Sequence, residues 1–193
     1  MKIQTILSIM ILLTMPLYVS CQATGTPSPT QPPALENTPA EEIPTQAPAA
    51  KVSLTTEKDT LNVGETTQVI VTIEDINGLY GADLRLNFTP DTLKTVDSDD
   101  EEKGVQIAAG ELLAADVIAQ NQADATTGSI IYAACQLAPH EAVSGSGTLA
   151  TITFQGKAAG PGTITLSQIL LATVDGEEIP ATIQTESITL SVN

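Results

Sequence analysis

The sequence predicts an all-β protein, a β-sandwich or jelly roll that covers residues 51–193. Two observations support this fold class. Apolar residues, many of them β-branched, alternate with polar ones in segment after segment, which is the pattern of strands buried on one face. Turns containing glycine or proline separate these segments at short intervals, and short strands at such spacing are typical of sandwiches and jelly rolls.

Eight segments carry the strand pattern, and we expect them to form half-buried antiparallel strands. The clearest is GADLRLNF, in which every second residue is apolar. One further segment, residues 110–125, tolerates helix, so we expect a short helix or an irregular loop there. In chain order the predicted strands are residues 52–56, 66–75, 81–88, 105–110, 128–137, 148–156, 162–174 and 186–193.

The first 20 residues have the features of an export signal. Lys2 supplies a positive start, and the apolar stretch of residues 6–19 is too short to be a confident membrane span. The stretch ends in LYVSC, which resembles a bacterial lipobox, the motif in which the cysteine is lipidated and becomes the mature N-terminus. We therefore expect Cys21 to carry lipid and to hold the protein at the bacterial cell surface. Ordinary cleavage or an uncleaved anchor remains the alternative.

Residues 21–50 form a predicted linker after the signal. The stretch from residue 22 to residue 50 contains seven prolines together with Thr, Ala and Glu, and it has no apolar period. Such a composition cannot build a core, and proline favours extended conformations, so we expect a semi-rigid spacer. Glycosylation of its threonines is left open.

The charge balance excludes whole classes of partner. The formal net charge is -16 with a pI near 4.1, and residues 51–193 carry 6 Lys and Arg against 20 Asp and Glu. Nucleic acids and anionic lipid surfaces both require clustered basic residues. We therefore expect no nucleic-acid partner, and contact with the membrane only through the N-terminal lipid. The acidity itself is accounted for by solubility.

The strand at residues 81–88 presents three polar side chains, Asp83, Arg85 and Asn87, on the face opposite its apolar ones. Taken by themselves, these residues favour a solvated face with cross-strand ion pairs, each worth about 0.2–1 kcal/mol. A binding face is the alternative.

Several segments in their order resemble the cohesin module of cellulosomes. They are VGETTQVIVTI, GLYGADLRLNFTPDTLKTVD, GSIIYAACQ and GSGTLATITFQ, and the resemblance covers nearly all of residues 51–193. It implies a flattened jelly roll of about nine strands. It also implies that one sheet face binds the calcium-loaded dockerin module of a secreted enzyme that degrades polysaccharide. The calcium belongs to the dockerin, so no cofactor or metal is expected here.

The resemblance also implies which residues contact the partner. On the strand at 81–88 they are Asp83, which matches an acidic contact of the family, together with Arg85, Asn87 and Gly81, which stands where the family often has asparagine. On the GSIIYAACQ strand the expected contacts are Ala133 and Gln136. The implied function is that of a non-catalytic receptor for dockerin-bearing or other secreted proteins.

Two other functions stay open, a carbohydrate-binding module of the related jelly-roll type and a structural surface spacer. Sugar rings stack on exposed aromatic side chains. Residues 51–193 contain four aromatic residues, of which only Tyr80 is expected to be exposed. The scarcity of aromatic side chains therefore favours protein binding over sugar binding.

Signals for catalysis or metal binding are weak. His140 is the single histidine, and no Ser-His-Asp pattern or phosphate-binding loop is present, so we expect no enzymatic activity. Cys135 lies in an apolar run and is expected to be a small core residue. The acidic run of residues 97–102 suggests calcium through its oxygen ligands, but it lacks the spacing of a calcium loop, so a solvated loop is the favoured interpretation.

Overall fold

The computed structural model describes residues 49–193. The predicted signal segment, Cys21 and nearly all of the predicted linker lie outside these residues. Within the described part the secondary structure is entirely β, with twelve strands. They are β1 Ala50–Thr56, β2 Thr60–Leu61, β3 Thr66–Leu79, β4 Gly81–Phe88, β5 Leu93–Val96, β6 Ala108–Ala109, β7 Val117–Asp124, β8 Ser129–Cys135, β9 Val143–Gly156, β10 Gly160–Ala172, β11 Ala181–Thr185 and β12 Ser187–Val192.

The strands form two six-stranded sheets. The first has the order β11-β1-β3-β9-β5, with the short β6 also paired to β9, and the second has the order β2-β12-β10-β4-β8-β7. Most neighbours are antiparallel, as predicted, but β1 with β11 and β12 with β2 are parallel pairs. The predicted jelly-roll sandwich is confirmed. The strand count is twelve rather than about nine, because the short strands β2, β5 and β11 and the edge strand β7 lie outside the eight predicted segments.

A single apolar core lies between the sheets, filled by the inward side chains of both. The second sheet contributes Leu84, Leu86 and Phe88 from β4, and the first contributes Phe154 from β9. The Phe88 and Phe154 rings meet edge to face, with centroids 5.4 Å apart and planes at 70°, a favoured aromatic geometry. Every second residue of β4 is buried, as the alternation in the sequence predicted. This confirms the predicted orientation of β4.

The segment predicted as helix or irregular loop contains a strand instead. Residues 117–124 form β7, which pairs antiparallel with β8 at the edge of the second sheet. Its alanine and glutamine residues tolerate helix as well as strand, and most of its side chains are exposed on both faces. Pairing with β8 decides its conformation, because strand formation depends on cross-strand neighbours more than on local preference.

Cys135 does not belong to the core, contrary to the expectation from its apolar neighbours. Strand β8 turns Ile130, Tyr132 and Ala134 inward, so Cys135 lies half-buried on the outer side of the sheet. An apolar run of this kind lacks clear alternation, and only the pairing with β4 and β7 shows which residues face the core. In residues 49–193 no helix is present that is long and apolar enough to cross a membrane.

Candidate functional site

The candidate site is the outer face of four neighbouring strands, β10, β4, β8 and β7. Cross-strand pairing arranges its side chains in four rows of four. We call this set the outer face and number the rows from the start of β4. Row one is Ala172, Gly81, Cys135 and Val117; row two is Leu170, Asp83, Ala133 and Gln120; row three is Gln168, Arg85, Ile131 and Gln122; row four is Thr165, Asn87, Ser129 and Asp124.

Two β-bulges determine which residues of β10 and β7 reach the outer face. In β10 the bulge at Ser167 places Gln168 opposite Arg85 and Leu170 opposite Asp83. Without this extra residue Leu170 would point into the core, since a bulge shifts every later side chain to the other face. The hydroxyl of Ser167 donates to the backbone oxygen of Arg85 at 3.0 Å and so ties the bulge to β4.

An ion pair lies at the centre of the outer face. The guanidinium of Arg85 donates to Asp83 through Nε at 3.2 Å and through Nη2 at 3.3 Å. These two hydrogen bonds, and then the negative charge of Asp83, raise the pKa of Arg85. A guanidinium has five N–H donors, so three of them are free for a partner, while both carboxylate oxygens of Asp83 retain acceptor capacity. The ion pair therefore orients both side chains, and each can still form hydrogen bonds with a partner.

The row-one end of the outer face is apolar. Leu170 is 40% exposed and Val117 is 38% exposed, and Ala133 lies between them on β8. Leu137 and Val174 extend beyond row one in the loops that follow β8 and β10, and both are exposed. Four of the seven exposed large apolar side chains in residues 49–193 thus lie at this end. Sequence analysis did not identify these four residues. The unbroken apolar run at residues 169–172 was a signal for Leu170 alone.

Asp116 fixes the loop that carries Leu137. Its Oδ2 accepts a hydrogen bond from the backbone N–H of Leu137 at 2.8 Å, and its Oδ1 lies 3.2 Å from Nε2 of His140. The backbone N–H of Asp116 in turn donates to the oxygen of Cys135 at 3.1 Å. One side chain thus joins the start of β7 to the loop after β8. Leu137 is therefore held in place although its side chain is exposed.

The predicted contact residues of β4 and β8 all lie on the outer face, with one exception. Gly81, Asp83, Arg85, Asn87 and Ala133 occupy rows one to four as the alternation predicts. A Cβ added at Gly81 would make only ordinary contacts, the nearest at 3.5 Å with Cys135, so packing does not require glycine there. A binding role for these five residues stays a prediction.

The exception is Gln136, whose predicted outward contact is wrong. Gln136 is only 3% exposed, and its backbone N–H donates to the oxygen of Tyr80 at 2.9 Å. Ala133 and Gln136 are three positions apart, and in a strand of period two such residues face opposite sides. Placing Ala133 outward therefore turns Gln136 inward, where its Oε1 has no hydrogen-bond partner among the described residues.

The aromatic side chains of the described region do not form an exposed platform. Tyr132, Phe88 and Phe154 are buried, and Tyr80, which the sequence predicted to be exposed, is half-buried. Burial also raises the pKa of Tyr132. A sugar ring would therefore find at most the partly covered ring of Tyr80.

The acidic run of residues 97–102 uses its carboxylates to hold its own loop. Oδ1 of Asp97 accepts from the backbone N–H groups of Asp99 at 3.1 Å and Gln106 at 2.8 Å. Oδ1 of Asp99 accepts from Glu101 at 3.0 Å. Within residues 49–193 no three histidine, cysteine or acidic side chains converge as a group that could hold a metal ion.

The described residues thus form a β-sandwich with one sheet face open to solvent and an ion pair at the centre of that face. The sequence model of the cohesin domain matches residues 50–192, so the chain belongs to the cohesin domain family. The comparison with known families thus agrees with the resemblance seen in the strand motifs. No curated protein matches the chain significantly.

Solved structures agree on the fold. A type II cohesin domain from the cellulosome of Acetivibrio cellulolyticus superposes with a TM-score of 0.63 at 19% identity, over 74% of this chain and 95% of that one. The cohesin of a type II cohesin–X–dockerin complex from the same organism gives 0.62 at 16% identity, over 75% and 99%. A non-cellulosomal cohesin from the archaeon Archaeoglobus fulgidus gives 0.56 at 18% identity, over 76% and 92%.

Proposed function

We propose that this protein is a non-catalytic receptor that binds a secreted protein of the dockerin type through the outer face. Membership of the cohesin family and the similarity to a cohesin found in a dockerin complex support this partner class. The observation that carries the proposal is the arrangement of the outer face, where a preorganised ion pair adjoins an exposed apolar end. Protein interfaces combine apolar area with a few oriented polar groups, and the outer face offers both side by side.

The geometry suggests how a partner is bound. Leu170, Ala133 and Val117 offer apolar area, while Asp83 and Arg85 offer a carboxylate and a guanidinium that are already oriented towards each other. Preorganised groups lose little conformational entropy on binding. A partner that matches both parts would place an apolar surface over Leu170, Ala133 and Val117 and polar groups over Asp83 and Arg85.

We further propose that lipid on Cys21 and the proline-rich linker display this module on the bacterial surface. The LYVSC sequence after the apolar segment supports the anchor, and the seven prolines support the spacer. In this arrangement the receptor would hold a polysaccharide-degrading enzyme, or another secreted protein, at the cell. The name of the Archaeoglobus relative, a non-cellulosomal cohesin, shows that relatives of this fold are not confined to cellulosomes.

The test is a binding assay with a panel of dockerin modules and the Asp83→Lys variant. Reversing the charge at a desolvated polar contact costs about 2 kcal/mol or more, which is about thirtyfold in Kd. We expect Asp83→Lys to lose that much affinity while keeping the wild-type melting temperature. The matched control is Glu74→Lys, which makes the same charge change at an exposed position of the first sheet and should bind as the wild type does.

Two outcomes would contradict the proposal. If a folded Asp83→Lys variant binds its partner as tightly as the wild type, the outer face is not the docking surface. If no dockerin binds but the protein is retarded in gels containing cellulose, xylan or pectin, and Tyr80→Ala abolishes the retardation, the carbohydrate-binding alternative holds instead.

A further inference from the structure

A concave site lies outside the outer face and shares none of its residues. It is a pocket of about 460 Å³ where four segments meet. Its walls come from the turn after β2 at Val63–Gly64, from β5 at Leu93–Lys94, from the turn after β7 at Ala125 and from the end of β9 at Gln155–Lys157. This volume is within the range of small-ligand sites.

Hydrogen bonds hold the walls of this pocket. The backbone N–H of Gly64 donates to the oxygen of Gly156 at 2.8 Å, and Nε2 of Gln155 donates to the oxygen of Gly64 at 2.7 Å. Lys94 is paired with Gln155 in the ladder between β5 and β9. The turn, the edge strand and the end of β9 are therefore one connected unit, and the pocket exists before any ligand arrives.

The charge of the pocket is opposite to that of the domain. Residues 51–193 carry 20 acidic side chains, yet none lines the pocket, whereas Lys94 and Lys157 both do. Among the described residues neither lysine forms an ion pair with an acid, while Lys51, Lys58 and Arg85 all do. The ammonium group of Lys157 donates to the backbone oxygen of Pro90 at 2.7 Å, which holds it at the rim.

The two acidic residues that directly adjoin the lining along the chain, Asp124 and Glu65, are already engaged. Oδ1 of Asp124 accepts from the backbone N–H groups of Thr126 at 2.7 Å and Thr127 at 3.3 Å. Glu65 follows Gly64, but its carboxylate accepts from the ammonium of Lys58 and from the backbone N–H and side-chain amide of Asn62. It therefore shapes the turn without neutralising the pocket. Two positive charges remain in a concave site on a domain whose formal charge is -14.

We propose that this pocket binds the carboxylates of an acidic peptide segment on a partner protein. The two lysines attract the carboxylates of the peptide, and the apolar walls favour an aliphatic side chain next to those carboxylates in the peptide. Val63 is 55% exposed and Ala125 is also exposed, so these two side chains supply the apolar surface, while Leu93 is buried beneath them. Because no aromatic ring lines the pocket, it lacks the stacking surface of a sugar site. A peptide with glutamates next to leucine or isoleucine fits this combination.

The overall charge of the protein makes this proposal sharply testable. An acidic peptide is repelled by the domain as a whole, so non-specific attraction cannot bring it to the surface. Binding has to depend on Lys94 and Lys157. The proposal is independent of the outer face, so Asp83→Lys should leave peptide binding unchanged.

The experiment measures fluorescence anisotropy of a labelled Leu-Glu-Glu-Leu peptide with the full-length protein, against a neutral Leu-Gln-Gln-Leu peptide. We expect only the acidic peptide to bind. Lys94→Gln and Lys157→Gln should each weaken binding about tenfold, the effect of losing one charge-assisted hydrogen bond. Lys94→Arg, which keeps the charge, should retain most of the affinity.

The matched control is Lys103→Gln. Lys103 also lacks an ion pair among the described residues but lies outside the pocket, so its removal should leave the affinity unchanged. All variants should keep the wild-type melting temperature, since the three lysines are exposed. Equal binding of the neutral peptide, or equal losses in Lys94→Gln and Lys103→Gln, would overturn the proposal. So would lysine-dependent binding of oligogalacturonate without binding of the peptide.

Discussion

At the scale of single residues, position in the strand decides between stability and binding. Leu84 and Asp83 are neighbours in β4, yet Leu84 is completely buried between the sheets and Asp83 lies on the outer face with its carboxylate paired to Arg85. Burial makes the first residue costly to change, because the core is close-packed. The second can change with little effect on folding, so its identity is free to be selected for a partner.

We predict that Leu84→Ala lowers the free energy of unfolding by about 2–5 kcal/mol, through lost apolar burial and the cavity left behind. Asn87→Ala, which truncates an exposed side chain of the same strand, should change it by less than about 0.5 kcal/mol. Urea denaturation of the two variants and the wild type provides the measurement. Similar losses in both variants would mean that the inward and outward sides of β4 are assigned wrongly.

At the scale of elements, the turn between β2 and β3 depends on one carboxylate. Glu65 accepts from the ammonium of Lys58 and from the backbone N–H and the side chain of Asn62, at 2.5, 3.1 and 3.1 Å. These hydrogen bonds, that of Lys58 first, lower the pKa of Glu65 to about 2. The unfolded chain has an ordinary glutamate pKa of about 4.3. Proton uptake therefore opposes the folded turn as the pH falls between these two values.

We predict a stability contribution from Glu65 that depends on pH. Because its pKa is lower in the folded state, the contribution is fully present above about pH 4.3 and declines as the pH approaches 2. Glu65→Gln should therefore lower the melting temperature at pH 7 and make a progressively smaller difference down to pH 2. Glu178→Gln, a change at an exposed loop residue, is the control for general acid effects. A difference that stays constant from pH 7 to pH 2 would contradict the assignment.

At the scale of the whole molecule, the net charge limits how the protein can attach to a membrane. The formal net charge of -16 opposes electrostatic attraction to nucleic acid and to anionic lipid surfaces. Attachment to a membrane then requires a covalent lipid or an uncleaved apolar segment. In the proposed arrangement, the proline-rich residues that follow the predicted signal segment would act as a spacer between the attachment point and the binding module.

We predict that the intact protein partitions into the detergent phase through lipid on Cys21. Cys21→Ala should shift it to the aqueous phase or leave an unprocessed precursor, because the acceptor thiol is gone. Phase separation with Triton X-114 and intact-mass measurement test both points, with Cys135→Ala as the matched control for loss of a thiol. An unchanged mass and unchanged partitioning in Cys21→Ala would show that the protein is not lipidated there.

The sequence alone determined the fold class and the two sides of β4, because alternation with period two is a local property that needs no knowledge of neighbouring strands. The strand motifs also carried the family resemblance.

Other features depended on pairing between strands far apart in the chain. Pairing with β8 made β7 a strand, and the bulge at Ser167 turned Leu170 outward. The run around Cys135 has no clear alternation, so its pairing with β4 and β7 was needed to show that Cys135 faces outward. Gln136 is the next residue along the chain and faces inward. Lys94 and Lys157 are 63 positions apart in the chain, and only the folding of β5 against β9 brings them to one pocket.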